Sequence, residues 1–458
     1  MSPINPPTPY QIKECDEAGN TTATYISQGG ARVDIIHPQT PKSYTQQLLE
    51  IFLPAGFPHS VSEDYVQYQI YDSLQAFSSS IAGMLASRAV LEGFGVGNPT
   101  ASPTSALLLT ILQSTSGRIA TILFAHRLGT ALEPECKMYR LAADIFNDTA
   151  MVLDCLSPAF PKQIRVCILS LGGVLRALCG VCAGSAKASL SAHFATRGNL
   201  GEVNAKDSSQ ETVISLLGML AGSVVVSCIS SPMATWSTLI ALLSIHLATN
   251  YAAVKAVRMR CLNRQRANIV MSNLVQHGEM LGPSEVARRE RVFERDGALR
   301  WSDDVVVGYC RIGVSLQTLL SRIGLRNGRT GSLQLHAVAM SELLDVFVGE
   351  AYILWPASFA DEVLIVLKQG CTPMDQLRAW THALSLAKRR PSPLGKPGAD
   401  NASLAEDRLA EVRRTLADTR ALFEKYSAAM RDAGWDLDVA ALETRAGTRV
   451  RMEEAQKR

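Results

Sequence analysis

The sequence predicts a mainly α protein: a multi-helix bundle embedded in a membrane, followed by a small α+β C-terminal domain. Three observations predict it. No Asp, Glu, Lys or Arg occurs between Glu211 and Lys255. Residues 75–254 are poor in charge and rich in Ala, Gly, Ser and Leu, whereas 255–300 and 388–458 are rich in charge. From about residue 280 the long apolar runs give way to short ones with mixed strand and helix patterns. At 458 residues the chain is long enough for two or three domains. A net charge of +3 argues against a nucleic-acid binder. The charged fraction, 19%, lies below the roughly 25% usual in soluble domains.

Residues 1–45 read as a disordered or extended lead-in. This N-terminus has no basic stretch followed by an apolar core and no Arg-rich transit pattern, so a secreted protein is not expected. Residues 46–270 read as the helical core domain. Ser62 is the expected N-cap of a helix over 65–77, and Pro158 and Pro161 end a later one. Residues 212–254 divide at Pro232 into halves of 19 and 22 residues, each near the ~20 that cross a bilayer. They predict a hydrophobic helical hairpin. Lys255, Arg258, Arg260, Arg264 and Arg266 follow it without an acid, the mark of a cytoplasmic flank. The charge-interrupted runs near 77–91, 105–128 and 164–190 are further candidate spans. The opposing reading is a soluble helical core containing the same hairpin.

Residues 280–390 read as the α+β domain. AYILW and EVLIVLK predict a β-hairpin. Thr372 is the expected cap of the following helix, with Pro373 first in the helix and Asp375 in its first turn. Residues 391–458 read as a linker, an amphipathic helix opened by a Ser403–Glu406 capping box, and a tail.

No nucleotide-binding, hydrolase or metal-ligand motif emerges, so the expectation is a non-enzyme without a metal site. The ten cysteines are scattered, and most lie in apolar segments. They read as buried free thiols of a reducing compartment. His246, inside the hairpin, reads first as a core histidine. More informative are Arg88, Arg118, Arg176, Lys187, Asp144 and Asp148, each within an apolar run. Such charges either pair to fix helix register or line a polar site for an anionic ligand. The cluster Asn204 to Glu211 has two readings as well. Asp207 or Ser208 caps the following helix, or Lys206 meets a phosphate or forms an imine with an aldehyde.

Several segments resemble the root UVB sensitive family, also described by vitamin B6 photo-protection and homoeostasis. They are FLPAGFPHSVSEDYVQYQIYDSLQAFSSSIAGMLASRAVLEGFGVG, GRIATILFA, YRLAADIFNDTAMVLDCLSPAFP and HFATRGNLGEVNAKDSSQETVISLLGMLAG, in order across 52–222. Weaker likeness runs through TPMDQLRAW. The chain departs from the family pattern at Tyr71-Asp72 and Tyr139-Arg140, where Trp is usual before the Asp and the Arg. It departs again at Gln113 to Arg118, which lacks an Asp-Gly, and at Ala186-Lys187, where Thr-Arg is usual. The resemblance implies a role in vitamin B6 homeostasis or ultraviolet-B tolerance, and a membrane protein. It carries no catalytic residues.

Together these features single out Arg88, Arg118, Asp144, Asn147, Asp148, His193, Lys206 and Gln210 as a polar, ligand-binding site. The expected ligand is a small anion of the pyridoxal type, with pyridoxal phosphate as one candidate and no cofactor fixed. The expected partners are the membrane, that ligand and a family member or second copy of the chain, with no nucleic acid. The C-terminal domain is expected on the cytoplasmic side. The alternative is a soluble or peripheral scaffold acting through protein contacts of the helix after Ser403.

Overall fold

A computed structural model of the chain describes residues 10–15, 21–27, 32–37, 51–94, 103–335, 338–357, 362–389 and 401–452. Helices carry most of these residues, and the chain divides into two compact units. The first comprises 1–118 and 141–257, the second 119–140 and 258–458.

The first unit opens with β1 (Tyr10–Cys15), β2 (Thr21–Ser27) and β3 (Val33–Ile36), an antiparallel sheet with β2 in the middle. These strands take up part of the lead-in expected to be disordered or extended over 1–45. TTATYIS is dense in β-branched and aromatic residues, which suit a pleated strand paired on both sides.

Six helices follow: α1 (Tyr65–Phe94), α2 (Pro103–Leu132), α3 (Cys136–Leu156), α4 (Lys162–Phe194), α5 (Leu200–Cys228) and α6 (Pro232–Ala256). Of these, α2 and α3 run from one unit into the other. Within the first unit α1 packs chiefly along α5 and α6. Gly218 and Gly222 of α5 permit this closeness. A Cβ on Gly218 would lie 2.6 Å from Cβ of Ser80, and one on Gly222 would lie 3.0 Å from Cγ of Met84. Small residues four apart are how apolar helices bring their backbones together.

The stretch expected to form a hairpin is α5 and α6, broken at Pro232, and each of the two packs chiefly along α1. Ser231 Oγ caps α6 by accepting from the Ala234 amide at 3.2 Å. One expected cap is corrected: helix α5 begins at Leu200, so Asp207 and Ser208 lie well inside it. Ahead of α1, Ser62 Oγ donates to Asp64 Oδ1 at 2.5 Å.

The second unit is α+β. Its sheet holds β4 (Ala298–Arg300), β5 (Val306–Ile312), β8 (Tyr352–Pro356), β9 (Glu362–Lys368) and β10 (Arg449–Val450). Strands β6 (Gly324–Arg326) and β7 (Leu333–Leu335) form a separate ribbon. The predicted hairpin is present: β8 pairs antiparallel with β9, from Tyr352 opposite Leu367 to Pro356 opposite Val363. On its other pairings β9 runs parallel to β5 and β10. The interior of β9, VLIVL, is buried throughout, as a central strand covered on both faces requires.

Helices α7 (Arg264–His277), α8 (Pro283–Arg289), α9 (Leu316–Leu320), α10 (Met340–Val346), α11 (Pro373–Arg389) and α12 (Asn401–Asp432) complete the unit. Val270 and Met271 of α7 join Trp355, Trp380, Val412 and Phe423 in one core. That packing draws α7 into the second unit, ahead of the boundary expected between 270 and 280.

The predicted cap of α11 is formed reciprocally. The Asp375 amide donates to Thr372 Oγ1 at 3.2 Å, and the Thr372 amide donates to Asp375 Oδ2 at 3.0 Å. The Ser403–Glu406 box is corrected, since α12 already begins at Asn401. The linker expected over 391–400 lies outside the described residues. All ten cysteines are free, but the expectation that most are buried is corrected. Cys136, Cys182 and Cys310 are buried, whereas Cys15, Cys167 and Cys228 are exposed.

Candidate functional site

Several polar residues on or just before helix α1 meet partners on other helices of the first unit. Before its first turn, Asp64 Oδ2 lies 3.0 Å from Nε2 of His193 on α4. Gln69 Nε2 donates to Asp207 Oδ1 of α5 at 2.9 Å. Lys187 of α4 reaches Asp207 at 2.7 Å and Glu211 at 2.8 Å. Further along, Ser79 Oγ lies 3.4 Å from Nδ2 of Asn147 on α3. Near the end of α1, Arg88 donates to the carbonyls of Val226 at 3.1 Å and Ile229 at 2.6 Å, capping the open end of α5.

At the middle of this seam lies a buried polar pair, His246 and Asn250. His246 of α6 is 1% exposed. Its Nδ1 lies 2.7 Å from Asp148 Oδ1, and its Nε2 lies 2.7 Å from Gln75 Oε1. Gln75 is oriented by its own Nε2, which donates to Asp72 Oδ1 at 3.2 Å. One turn away, Asn250 Nδ2 donates to Asp144 Oδ2. Asp144 and Asp148 on α3 thus oppose Asn250 and His246 on α6, four residues apart on each helix and in antiparallel register. Both ring nitrogens of His246 face hydrogen-bond acceptors, which fixes the ring between α1 and α3.

The eight residues singled out by sequence do not converge on one cavity. Asp144, Asn147 and Asp148 share a face of α3 and meet α1 and α6. His193 is tied to Asp64, and Arg88 to the α5 terminus. Lys206 Nζ donates to the Ile51 carbonyl at 3.0 Å, and Gln210 Nε2 to the Phe52 carbonyl at 2.7 Å. Arg118 is exposed on α2. Pairing thus accounts for most of these polar groups, and for Arg176, which meets Asp154. Gln75 and Asn250 were missed, whereas His246, read first as a core histidine, is buried and hydrogen-bonded as that reading has it. The signal was available: His246 and Asn250 repeat the four-residue spacing of Asp144 and Asp148.

The second unit holds its own buried charges. Glu290, 5% exposed, accepts from Lys137 Nζ at 2.6 Å and from Arg266 Nη1 at 2.6 Å. Burial opposes its ionisation, yet the two cations outweigh it and hold the carboxyl below its ordinary range. Burial pushes the neighbouring Cys136 thiol up to about 12, which makes it inert at neutral pH.

Beside this cluster opens a cavity of about 490 Å³, walled by Arg127, Arg264, Arg295 and Arg445 among others. Arg264 and Arg266 are both engaged in ion pairs within this unit. No group of three or more His, Cys, Asp or Glu suited to a metal ion occurs among the described residues.

Residues 38–278 match the family model described as the vitamin B6 photo-protection and homoeostasis domain, and 279–445 match the root UVB sensitive protein C-terminal model. The chain is 41% identical over 250 residues to RUS family member 1 of Dictyostelium discoideum, covering 54% of this chain and 47% of that one. It is 33% identical to protein root UVB sensitive 3 of Arabidopsis thaliana over 75% of each chain. Against protein root UVB sensitive 2, chloroplastic, of the same plant it is 27% identical, covering 76% of this chain and 74% of that one. The match thus spans about half of the Dictyostelium relative and three quarters of the two plant relatives. No solved structure matches the chain.

Proposed function

This chain belongs to the root UVB sensitive family, and on that premise we propose a non-enzymatic integral membrane protein of vitamin B6 homeostasis and the UV-B response. It binds or moves a small anionic, pyridoxal-type ligand. The observation that carries this is the surface of α4, α5 and α6. Each is long and apolar enough to cross a membrane, yet only 17%, 11% and 33% of the qualifying stretch of each is buried. Leu216, Leu220 and Val224 of α5 are all more than half exposed. In water each Å² of such surface costs about 25 cal/mol, and soluble monomers rarely present contiguous apolar patches beyond a few hundred Å². In a bilayer that cost vanishes. Polar groups turned inward and paired, as His246 and Asp148 are, suit the interior of a membrane bundle.

Lys255, Arg258 and Arg260 after α6 favour a cytoplasmic C-terminal unit. The scaffold reading loses its surface, because the apolar side of α12, with Val412, Leu416 and Phe423, is already buried in the core of that unit. Alkaline carbonate washing of membranes from cells making the full chain is the first test. Retention in the pellet until detergent is added is expected, and release into the supernatant defeats the membrane reading. Uptake of pyridoxal phosphate by proteoliposomes follows. His246→Gln should slow it several-fold, and uptake equal to that of empty vesicles removes transport.

A further inference from the structure

We propose that the arginine-walled cavity of the second unit binds a small phosphate monoester. It lies between the last turns of α2, the start of α3, the turn before β4 and residues 444–446. Its volume, about 490 Å³, falls in the range of small-molecule sites, about 300–1,000 Å³.

The charge balance of the walls selects the ligand. Arg127, Arg264, Arg295 and Arg445 line the cavity with the carboxylates Glu135, Glu294 and Asp296. Glu294 is already matched by Arg300 from outside, through bonds of 2.8 and 3.0 Å. Asp296 is shared by Arg264 and by Arg445, the latter at 3.1 Å. Glu135 meets Arg264 at 3.5 Å. Arg295 spends its guanidinium on Tyr309, 4.7 Å above the ring and 2.7 Å from its hydroxyl, so no carboxylate cancels it. Arg127 is exposed and makes no ion pair among the described residues.

Four guanidiniums thus face two carboxylates, a surplus of two positive charges. A phosphate monoester carries about −1.5 to −2 at neutral pH and offers the oxygens that guanidinium forks grip in pairs.

The walls are also held in place. Gly297 has φ +72°, and a Cβ there would lie 2.5 Å from the Cys310 carbonyl oxygen. The Ala298 amide closes the turn on the Arg295 carbonyl at 3.1 Å. Arg295 and Asp296 therefore stand on a turn that only glycine completes. Met138 and Tyr139 supply an apolar side against which the rest of an ester can lie.

The inference stands on the second unit alone. It gives the anionic ligand of the proposed function a site without needing the membrane reading. Titration calorimetry of the full chain in detergent, with phenyl phosphate as probe, tests it. Wild type should bind phenyl phosphate and ignore phenol. Arg127→Gln with Arg445→Gln, both on exposed side chains, should weaken binding at least tenfold, whereas Arg414→Gln, exposed on α12 and away from the cavity, should change it less than twofold. Absence of phenyl phosphate binding overturns the site, as does equal binding by the double variant or an equal loss from Arg414→Gln. Pyridoxal phosphate separates the two proposals. Binding no tighter than phenyl phosphate keeps the site and removes the vitamin from the proposed function. Binding indifferent to the arginines overturns the site and leaves that function standing.

Discussion

The two units invert each other. In the first, Leu216, Leu220 and Val224 face outward while Asp148 and His246 face in. In the second, Trp355, Trp380 and Phe423 fill the centre, and most ion pairs lie near the surface. Both units nonetheless bury charge, and they do so differently. The first distributes its polar groups along α1, where Gln69, Gln75, Ser79 and Arg88 each reach another helix. The second gathers Lys137, Arg266 and Glu290 at one point, with two cations on one carboxylate. The difference teaches that a buried charge in an apolar run marks a helix crossing in the first unit and a chain-joining knot in the second.

The sharpest break of this contrast is at Glu290. Replacing it with Gln leaves two cations buried without their shared anion. Stranding a buried charge of this kind costs roughly 3–5 kcal/mol. The expected outcome is early unfolding of the second unit. Four of the five tryptophans, Trp301, Trp355, Trp380 and Trp435, lie in that unit and report it by fluorescence. A midpoint within a degree or two of wild type would show that the knot holds little.

A smaller effect probes the first unit. Gly218→Ala places a methyl 2.6 Å from Cβ of Ser80, and because Ser80 stands on α1 the helices must part. Overpacking of this kind costs roughly 1–3 kcal/mol. Gly180→Ala on α4 meets nothing within 4 Å and serves as the control. Thermal unfolding in detergent should drop for the first and hold or rise for the second. Equal midpoints would mean that α1 and α5 are not in close contact.

What the sequence revealed follows the same division. The break between α5 and α6, the β8–β9 pair and the cap at Thr372 were legible because each rests on local chemistry: a proline, two short unbroken apolar runs, a side chain reaching its own helix. The site was legible only in part. Arg88 and Asp148 were visible as charges out of place, but their partners lie 138 and 98 residues away. Spacing along one helix cannot say which neighbour will face it. The cap at Asp207 failed for a related reason. Asp207 was drawn to Gln69 and Lys187 across helices. The three strands of 10–36 were obscured by the prolines around them, although their β-branched composition was in plain view.

The mildest test uses proton linkage and again separates the units. His382 of α11 is fully buried, with Nδ1 3.2 Å from the Tyr352 hydroxyl and Nε2 3.0 Å from Thr415 Oγ1. Burial holds its pKa down to about 3, against 6.5 for a free histidine. Because the folded-state value is the lower one, the unfolded chain takes up the proton first as pH falls. The stability from a neutral His382 is therefore complete above about pH 6.5, declines below it, and is exhausted near the folded value. Between pH 7 and 5.5, above the ordinary carboxylate range, the loss amounts to roughly 1 kcal/mol. Tryptophan-detected unfolding should show that slope in wild type and lose it in His382→Gln, which retains hydrogen-bonding capacity but cannot titrate. The slope itself is the readout, so a change in absolute stability of the variant does not obscure it. An unaltered slope in His382→Gln would mean that water reaches this histidine, and that the core of the second unit is less closed than Trp355 and Trp380 around it imply.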